Sequence, residues 1–206
     1  MDNVLNEDAA HAFHTVLSAI DAINRRSSVR SYSAEKVDPA VIRYLLEAAV
    51  RAPTAMHSEP WGFVVIQNAQ KLRQLSDRAK PLFLSEMQKA SFDSESYSLS
   101  YFEQSAFNVF YNAGTLIVIC GKATQPMASA DCWLAAENLM LAACTLGLGS
   151  CVIGSAIAAL NCPEVKSEFC IRPDMQAIVP IIIGIPDTPP LPSSRKEPQI
   201  LFWKEP

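Results

Sequence analysis

The chain has 206 residues, half of them hydrophobic, and a net charge of −4. That size and apolar content suit one well-buried core, and mild acidity with scattered lysines and arginines argues against a general nucleic-acid surface. The longest apolar runs are broken by Glu137-Asn138 or by proline, which argues against a membrane span.

Residues 9–25 place Ala10, Phe13, Val16, Leu17, Ile20 and Ile23 at three- and four-residue intervals, the period of an amphipathic helix. This helix delivers the chain to Asn24-Arg25-Arg26-Ser27-Ser28-Val29-Arg30-Ser31-Tyr32, a run dense in arginine and serine. Forked guanidinium donors beside short hydroxyls suit a phosphate or similarly crowded anion; the same composition also serves at a solvated helix end. Asp38-Pro39 marks the next helix, with the carboxylate as cap and proline in the first turn. Val41, Ile42, Leu45, Leu46 and Ala49 give that helix its apolar face, and it stops before Pro53. Trp61 to Gln67 reads as a strand through its run Phe63-Val64-Val65-Ile66, and Lys71 to Ala79 as a modest helix. Residues 81–110 combine Pro81, a serine-rich stretch and many aromatics, which predicts two helical pieces with a loose connection, suited to a substrate lid.

Thr115 to Cys120 reads as a second buried strand. Ala128 to Leu146 forms a helix that is apolar on nearly every face, so it must be enclosed in a core or against another subunit. Strands follow at 150–153 and 176–185; between them Asn161, two residues before Pro163, starts a short helix through Phe169. Beyond Pro186 the prolines at 189, 190, 192 and 198 make an extended tail that needs another surface to lie on. With no repeat and no linker, residues 1–206 read as a single α+β domain with a C-terminal tail from about 186. Helices cover both faces of the sheet, and such long helical connections require crossovers.

Six cysteines, at 120, 132, 144, 151, 162 and 170, form no Cys-x-x-Cys pair and read as small core residues. Met1-Asp2-Asn3 opens no basic-then-apolar leader, so the expectation is an unprocessed, cytoplasmic protein with unpaired thiols.

The segment Arg51-Ala52-Pro53-Thr54-Ala55-Met56-His57-Ser58-Glu59-Pro60-Trp61-Gly62-Phe63 resembles the Pro-Ser-x-x-Asn-x-Gln-Pro-Trp-x-Phe signature of the nitroreductase family of flavin enzymes. The arginine–serine run resembles that family's opening Arg-x-Ser-x-Arg/Lys-x-Phe/Tyr motif. Leu146-Gly147-Leu148-Gly149-Ser150-Cys151-Val152-Ile153-Gly154 follows a long apolar helix, as it does there, and Arg195-Lys196 supplies a fourth match. The resemblance covers roughly residues 20 to 200. It implies a mixed central sheet and an intertwined homodimer whose C-terminal extension embraces the partner. It also implies an oxidoreductase and flavoprotein using FMN, with NADH or NADPH as a transient electron donor and a small electron-poor acceptor such as a nitroaromatic or quinone. No Gly-x-Gly-x-x-Gly fingerprint is present, so a nicotinamide would bind transiently over the flavin.

Carried over residue by residue, the resemblance puts Arg26, Ser27, Ser28 and Arg30 on the flavin phosphate and the pyrimidine edge of its ring. Pro53, Thr54 and Ala55 would reach the flavin held mainly by the other subunit. The signature is broken twice: His57 stands where asparagine is usual, and Glu59 where glutamine is usual. His57 either faces the flavin or is incidental, and Trp61 is expected to pack in the core. Glu137 stands where many relatives carry glutamine; it either pairs with an arginine of the opening motif or holds a proton. Ile153 and Gly154 occupy the place from which the family offers a backbone N–H to the reactive flavin nitrogen, and glycine allows the backbone to approach closely. Arg195 falls on the family's phosphate-binding position near the C-terminus, with Lys196 as a second cation. No set of catalytic side chains and no metal site is evident. Two alternatives remain on the same scaffold: a flavin-destroying or dehalogenating enzyme, and a non-enzymatic flavin-binding protein, which the His57 and Glu59 departures favour.

Overall fold

The computed structural model describes residues 17–89 and 100–204. The start of the first expected helix, residues 9–16, and the middle of the expected lid segment, residues 90–99, lie outside the described residues. Helix α1 (Ala19–Arg25) opens with a capping box in which the Ser18 hydroxyl accepts from Asp21 N–H and the Asp21 carboxylate accepts from Ser18 N–H. Helix α2 (Pro39–Ala49) starts as its sequence dictates, Asp38 accepting the Ala40 N–H at 2.6 Å.

Four strands, β1 (Trp61–Ile66), β2 (Thr115–Lys122), β3 (Gly149–Val152) and β4 (Met175–Gly184), form one sheet in the order β1-β2-β4-β3. Every pair of neighbours is antiparallel. The parallel part of the expected mixed sheet shrinks, among the described residues, to a single bridge between Ser28 and Ser150 beside β3. The arginine–serine segment touches the sheet edge there without extending into a strand.

Side-chain alternation on β2 divides the core in two. Ile117 and Ile119, with Val179, Ile181 and Ile183 of β4, face α2 and the long helix α5 (Ala128–Thr145). Leu116, Val118 and Cys120, with Ala177 and Ile182, face helix α3 (Ala69–Lys89) and the 154–160 region. Helices therefore cover both faces. Each fully buried isoleucine in these layers contributes roughly 1.5–3 kcal/mol relative to leaving it exposed. Pro180 sits inside β4 without breaking it. Its carbonyl accepts Ile153 N–H at 2.8 Å just beyond the end of β3, so the donor that proline lacks falls outside the β3 ladder.

Two local expectations are corrected, the end of α3 and the start of α7. Helix α3 does not stop at Ala79 but runs through Pro81 to Lys89. Burial of Leu72, Leu75, Ser76, Ala79 and Lys80 along one face outweighs the proline's cost of about 3 kcal/mol. Only a short helix, α4 (Ser100–Glu103), is described from the second half of the lid segment. Residues unassigned from sequence form a 3-10 turn at Gly154–Ala156 and helix α6 (Ile157–Leu160). Cys162, not Asn161, stands at the N-cap of α7 (Pro163–Glu168). The Asn161 carboxamide is instead drawn to β4, donating to Ala177 O and accepting from Ala177 N–H.

Helix α5 is enclosed on one side only within a single chain: Trp133 and Leu134 remain 46% and 47% exposed. Beyond Pro186, which bridges to Tyr32, the tail is exposed and leaves Leu191, Ile200, Leu201, Phe202 and Trp203 uncovered. All six cysteines are free; Cys120, Cys132 and Cys151 are buried, whereas Cys170 is exposed and not a core residue. Among the described residues no helix is long and apolar enough to cross a membrane, and no cluster of ligating side chains could hold a metal ion.

Candidate functional site

The arginine–serine segment is seated on the ends of β3 and β4 by two glycines. Val29 lies on Gly149, where an added Cβ would come within 2.8 Å of Val29 Cβ. Tyr32 lies on Gly184, where an added Cβ would come within 2.7 Å of the ring. Backbone bonds reinforce both contacts: Val29 N–H donates to Ser150 O at 3.0 Å and Ser33 N–H to Ile185 O at 2.9 Å. The Tyr32 hydroxyl turns back to donate to Val29 O at 2.7 Å, and burial pushes its phenol pKa well above the ordinary value.

This seating presents Arg26, Ser27, Ser28 and Arg30 together. Burial raises the pKa of the Cys151 thiol, while Arg30, Ser28 and Arg26 pull it down. Arg26 Nε lies 3.5 Å from Glu137 Oε1, so of the two roles open to Glu137 the structure supplies the arginine partner. The carboxylate is not engulfed by the apolar helix; its side chain is 49% exposed. Arg30 makes no ion pair among the described residues, and its guanidinium lies 5.9 Å from the Tyr111 ring centroid.

The 53–59 loop is held by Asp131 of α5, whose Oδ1 accepts Ala55 N–H at 3.1 Å. Asp131 is only 3% exposed, and its second oxygen has no partner. Met56, His57 and Glu59 all take left-handed backbone angles, unusual for residues with a Cβ. Thr54 Oγ1 accepts Glu59 N–H across this turn at 3.4 Å. Pro53, His57 and Glu59 are exposed, and among the described residues the His57 and Glu59 side chains have no hydrogen bond or ion pair. Trp61 packs against the α2/α5 core, as expected.

Of the pair expected to offer a backbone donor, Ile153 is corrected: its N–H is already committed to Pro180 O, and the residue is buried. Gly154 keeps the role open. It is exposed, an added Cβ would meet nothing within 4 Å, and its N–H has no acceptor among the described residues. Arg195 and Lys196 are exposed on the tail, Arg195 donating only to the neighbouring Ser194 O at 3.3 Å. Among the described residues no hydrogen bond or ion pair joins either cation to the opening segment. Sequence reasoning missed Asp131 and Tyr111; the available signal for Asp131 was an acidic residue in the first turn of a nearly uncharged helix.

Fold and site together define an α+β protein with a donor-rich cradle at one end of an antiparallel sheet. Two guanidiniums and two hydroxyls are grouped there, with Arg26 paired to Glu137, and that donor set fits an anionic ligand. The nitroreductase family profile matches residues 23–185, and the chain belongs to that family. A solved nitroreductase with bound FMN from Bacteroides fragilis is 26% identical, with a TM-score of 0.77 over 91% of this chain and 100% of that one. Among curated proteins, an NADH dehydrogenase of Thermus thermophilus is 39% identical over 64 residues, 31% of either chain. Iodotyrosine deiodinase 1 of Mus musculus is 35% identical over 65 residues, 30% of this chain and 23% of the mouse protein. These curated matches thus span a third or less of each relative's length.

Proposed function

We propose that this protein is an FMN-dependent oxidoreductase that takes reducing equivalents from NADH or NADPH and delivers them to a small electron-poor acceptor, a nitroaromatic or a quinone. The observation that carries the reading is the cradle itself: Arg26, Ser27, Ser28 and Arg30 on a segment seated by Gly149 and Gly184; the exposed Gly154, two residues beyond β3 and with its N–H unpartnered among the described residues, adds support. When bound, FMN supplies a ring that takes up hydride from one substrate and gives it to the next. Arg26, Ser27 and Ser28 hold the phosphate, with Glu137 keeping the Arg26 guanidinium in place. Arg30 adds positive charge that favours the reduced, more negative ligand. Gly154 offers its N–H to the ring with no side chain in the way.

The same reading takes the working unit to be a homodimer. Supporting it are the apolar Trp133 and Leu134 on the open side of α5 and the uncovered tail residues Ile200 to Trp203, which a second copy would bury. In that arrangement the Pro53–Ala55 loop and the tail cations Arg195 and Lys196 of one copy complete the cradle of the other.

Purified protein loaded with FMN should show an oxidised-flavin spectrum that bleaches under anaerobic conditions on addition of NADH or NADPH. Ping-pong kinetics with a quinone or nitroaromatic are expected, because donor and acceptor share one cavity. A protein that binds no FMN refutes the reading, and a flavin that stays oxidised with both nicotinamides refutes the enzyme. A dehalogenating reaction is the second reading, favoured by the match to the mouse deiodinase. Halide release from a halogenated phenol under reducing turnover, at a rate exceeding quinone reduction, would select it.

A further inference from the structure

We infer that Tyr111 is a positioning residue whose ring holds the Arg30 guanidinium in the anion cradle. The inference rests on the flavin reading above and adds a residue that the sequence motifs do not contain.

The Tyr111 ring is placed by a chain of contacts that begins on α3. Arg73, Ser76 and Lys80 line one face of that helix and bond the backbone of the loop before Tyr111. Arg73 Nη1 donates to Ala106 O at 3.3 Å, and Ser76 Oγ accepts Val109 N–H at 3.0 Å. Lys80 Nζ donates to Phe107 O at 3.1 Å and to Ser105 O at 3.4 Å. Ser76 and Lys80 are buried, so their bonds form an internal brace, with the exposed Arg73 adding a contact at its rim. The Asn108 carboxamide then closes the turn, accepting Phe110 N–H at 2.9 Å and donating to Asn112 Oδ1 at 3.1 Å.

The turn ends with Tyr111 and Asn112 both left-handed, at φ 51° and 57°. Two consecutive residues with side chains persist in that region only when their surroundings hold them. Here the conformation directs the Tyr111 ring edge-on to Phe107, centroids 5.6 Å apart and planes at 83°, and places it within reach of Arg30. Arg30 is exposed and has no carboxylate partner among the described residues, where the ring is its recorded contact. A cation held against an aromatic face in advance of binding loses less freedom when an anion arrives.

The test uses the full chain in two measurements. In protein stripped of flavin, the Arg30 Nε–H resonance, assigned with Arg30→Lys, should carry a ring-current shift that Tyr111→Leu removes and Tyr111→Phe keeps. Absence of that shift in the wild type overturns the inference even if Tyr111→Leu fails to fold. Titration with FMN by fluorescence quenching should show binding about two- to fivefold weaker in Tyr111→Leu and unchanged in Tyr111→Phe. Adding Tyr111→Leu to Arg30→Ala should cause no further loss, because the ring acts through the guanidinium. Wild-type FMN affinity in Tyr111→Leu, or an equal loss in the Arg30→Ala background, overturns the role while leaving the flavin reading standing. A wild type that shows the ring-current shift but binds no FMN overturns the flavin reading, and this role with it.

Discussion

Arg26 Nε and Glu137 Oε1 lie 3.5 Å apart and tie the opening segment to the middle of α5. The arginine side chain is 19% exposed and the carboxylate 49%, so the pair lies half in water and contributes little to folding. Glu137→Gln should therefore cost no more than about 1 kcal/mol in a denaturant titration. If Arg26 holds the FMN phosphate as proposed, Arg26→Ala should instead weaken FMN by about 1.5–3 kcal/mol, roughly ten- to a hundredfold, the loss of one charge-assisted bond. If Arg26→Ala bound FMN like the wild type while remaining folded, the phosphate would have to be held elsewhere.

Asp131 makes a different kind of contact, a buried carboxylate bonded to the loop N–H of Ala55 with its other oxygen unpartnered. Asp131→Ala should leave that N–H without an acceptor and destabilise by about 1–3 kcal/mol. Asp131→Asn keeps an acceptor and removes a buried charge, so it should stay within about 1 kcal/mol of wild type. Hydrogen exchange at Ala55 should quicken in the alanine variant alone. Equal protection in both variants would mean that Asp131 does not hold the loop.

What was legible in the sequence was local. Asp38-Pro39 announced α2, and the Phe63–Ile66 run announced β1, because caps and β-branched runs act on their own neighbourhood. Pro81 misled for the converse reason: its local cost is real, but the buried face of α3 decides, and that face depends on the sheet beneath it. The site followed the same rule. Arg26, Ser28, Arg30 and Gly154 were candidates through motifs, whereas the contacts of Asp131 with Ala55 and of Tyr111 with Arg30 join distant segments and leave no local pattern. Ile153 shows the limit of a motif: register in the sheet gave its N–H to Pro180, and spacing alone could not separate it from Gly154.

Glu168 on α7 receives both Lys71 and Arg78 of α3. The hydrogen bonds from Lys71, then Arg78, hold its carboxyl pKa below the ordinary 4.5. A depressed folded-state value means the pair stabilises the fold above the ordinary pKa, and the contribution is lost as pH falls from there through the lower folded value. Wild type should therefore lose more stability than Glu168→Gln over that acid window, and the two should run parallel above it. Molar salt should narrow the difference, because these side chains are reached by solvent. Identical acid limbs in the two proteins, followed by circular dichroism, would show that this ion pair carries no pH dependence.

Gly184 and Gly154 separate the role of the seat from the role of the open backbone. At Gly184 an added Cβ would sit 2.7 Å from the Tyr32 ring, which is buried and anchored by its hydroxyl to Val29 O and so cannot step aside. Gly184→Ala should accordingly destabilise by about 1–3 kcal/mol and displace the segment that carries Arg26 and Arg30. At Gly154 an added Cβ meets nothing in the protein, so Gly154→Ala should keep stability within about 0.5 kcal/mol of wild type. Its methyl group would nonetheless project into the space assigned to the flavin ring. The oxidised-flavin absorbance should shift and reduction by NADH or NADPH should slow, with the thermal midpoint of the flavin-free protein unchanged. Thermal scans of flavin-free protein and anaerobic stopped-flow of the loaded protein distinguish the two variants. A Gly154→Ala protein with wild-type spectrum and reduction rate would move the ring away from this turn, and a Gly184→Ala protein as stable as wild type would show that Tyr32 is not locked against the sheet.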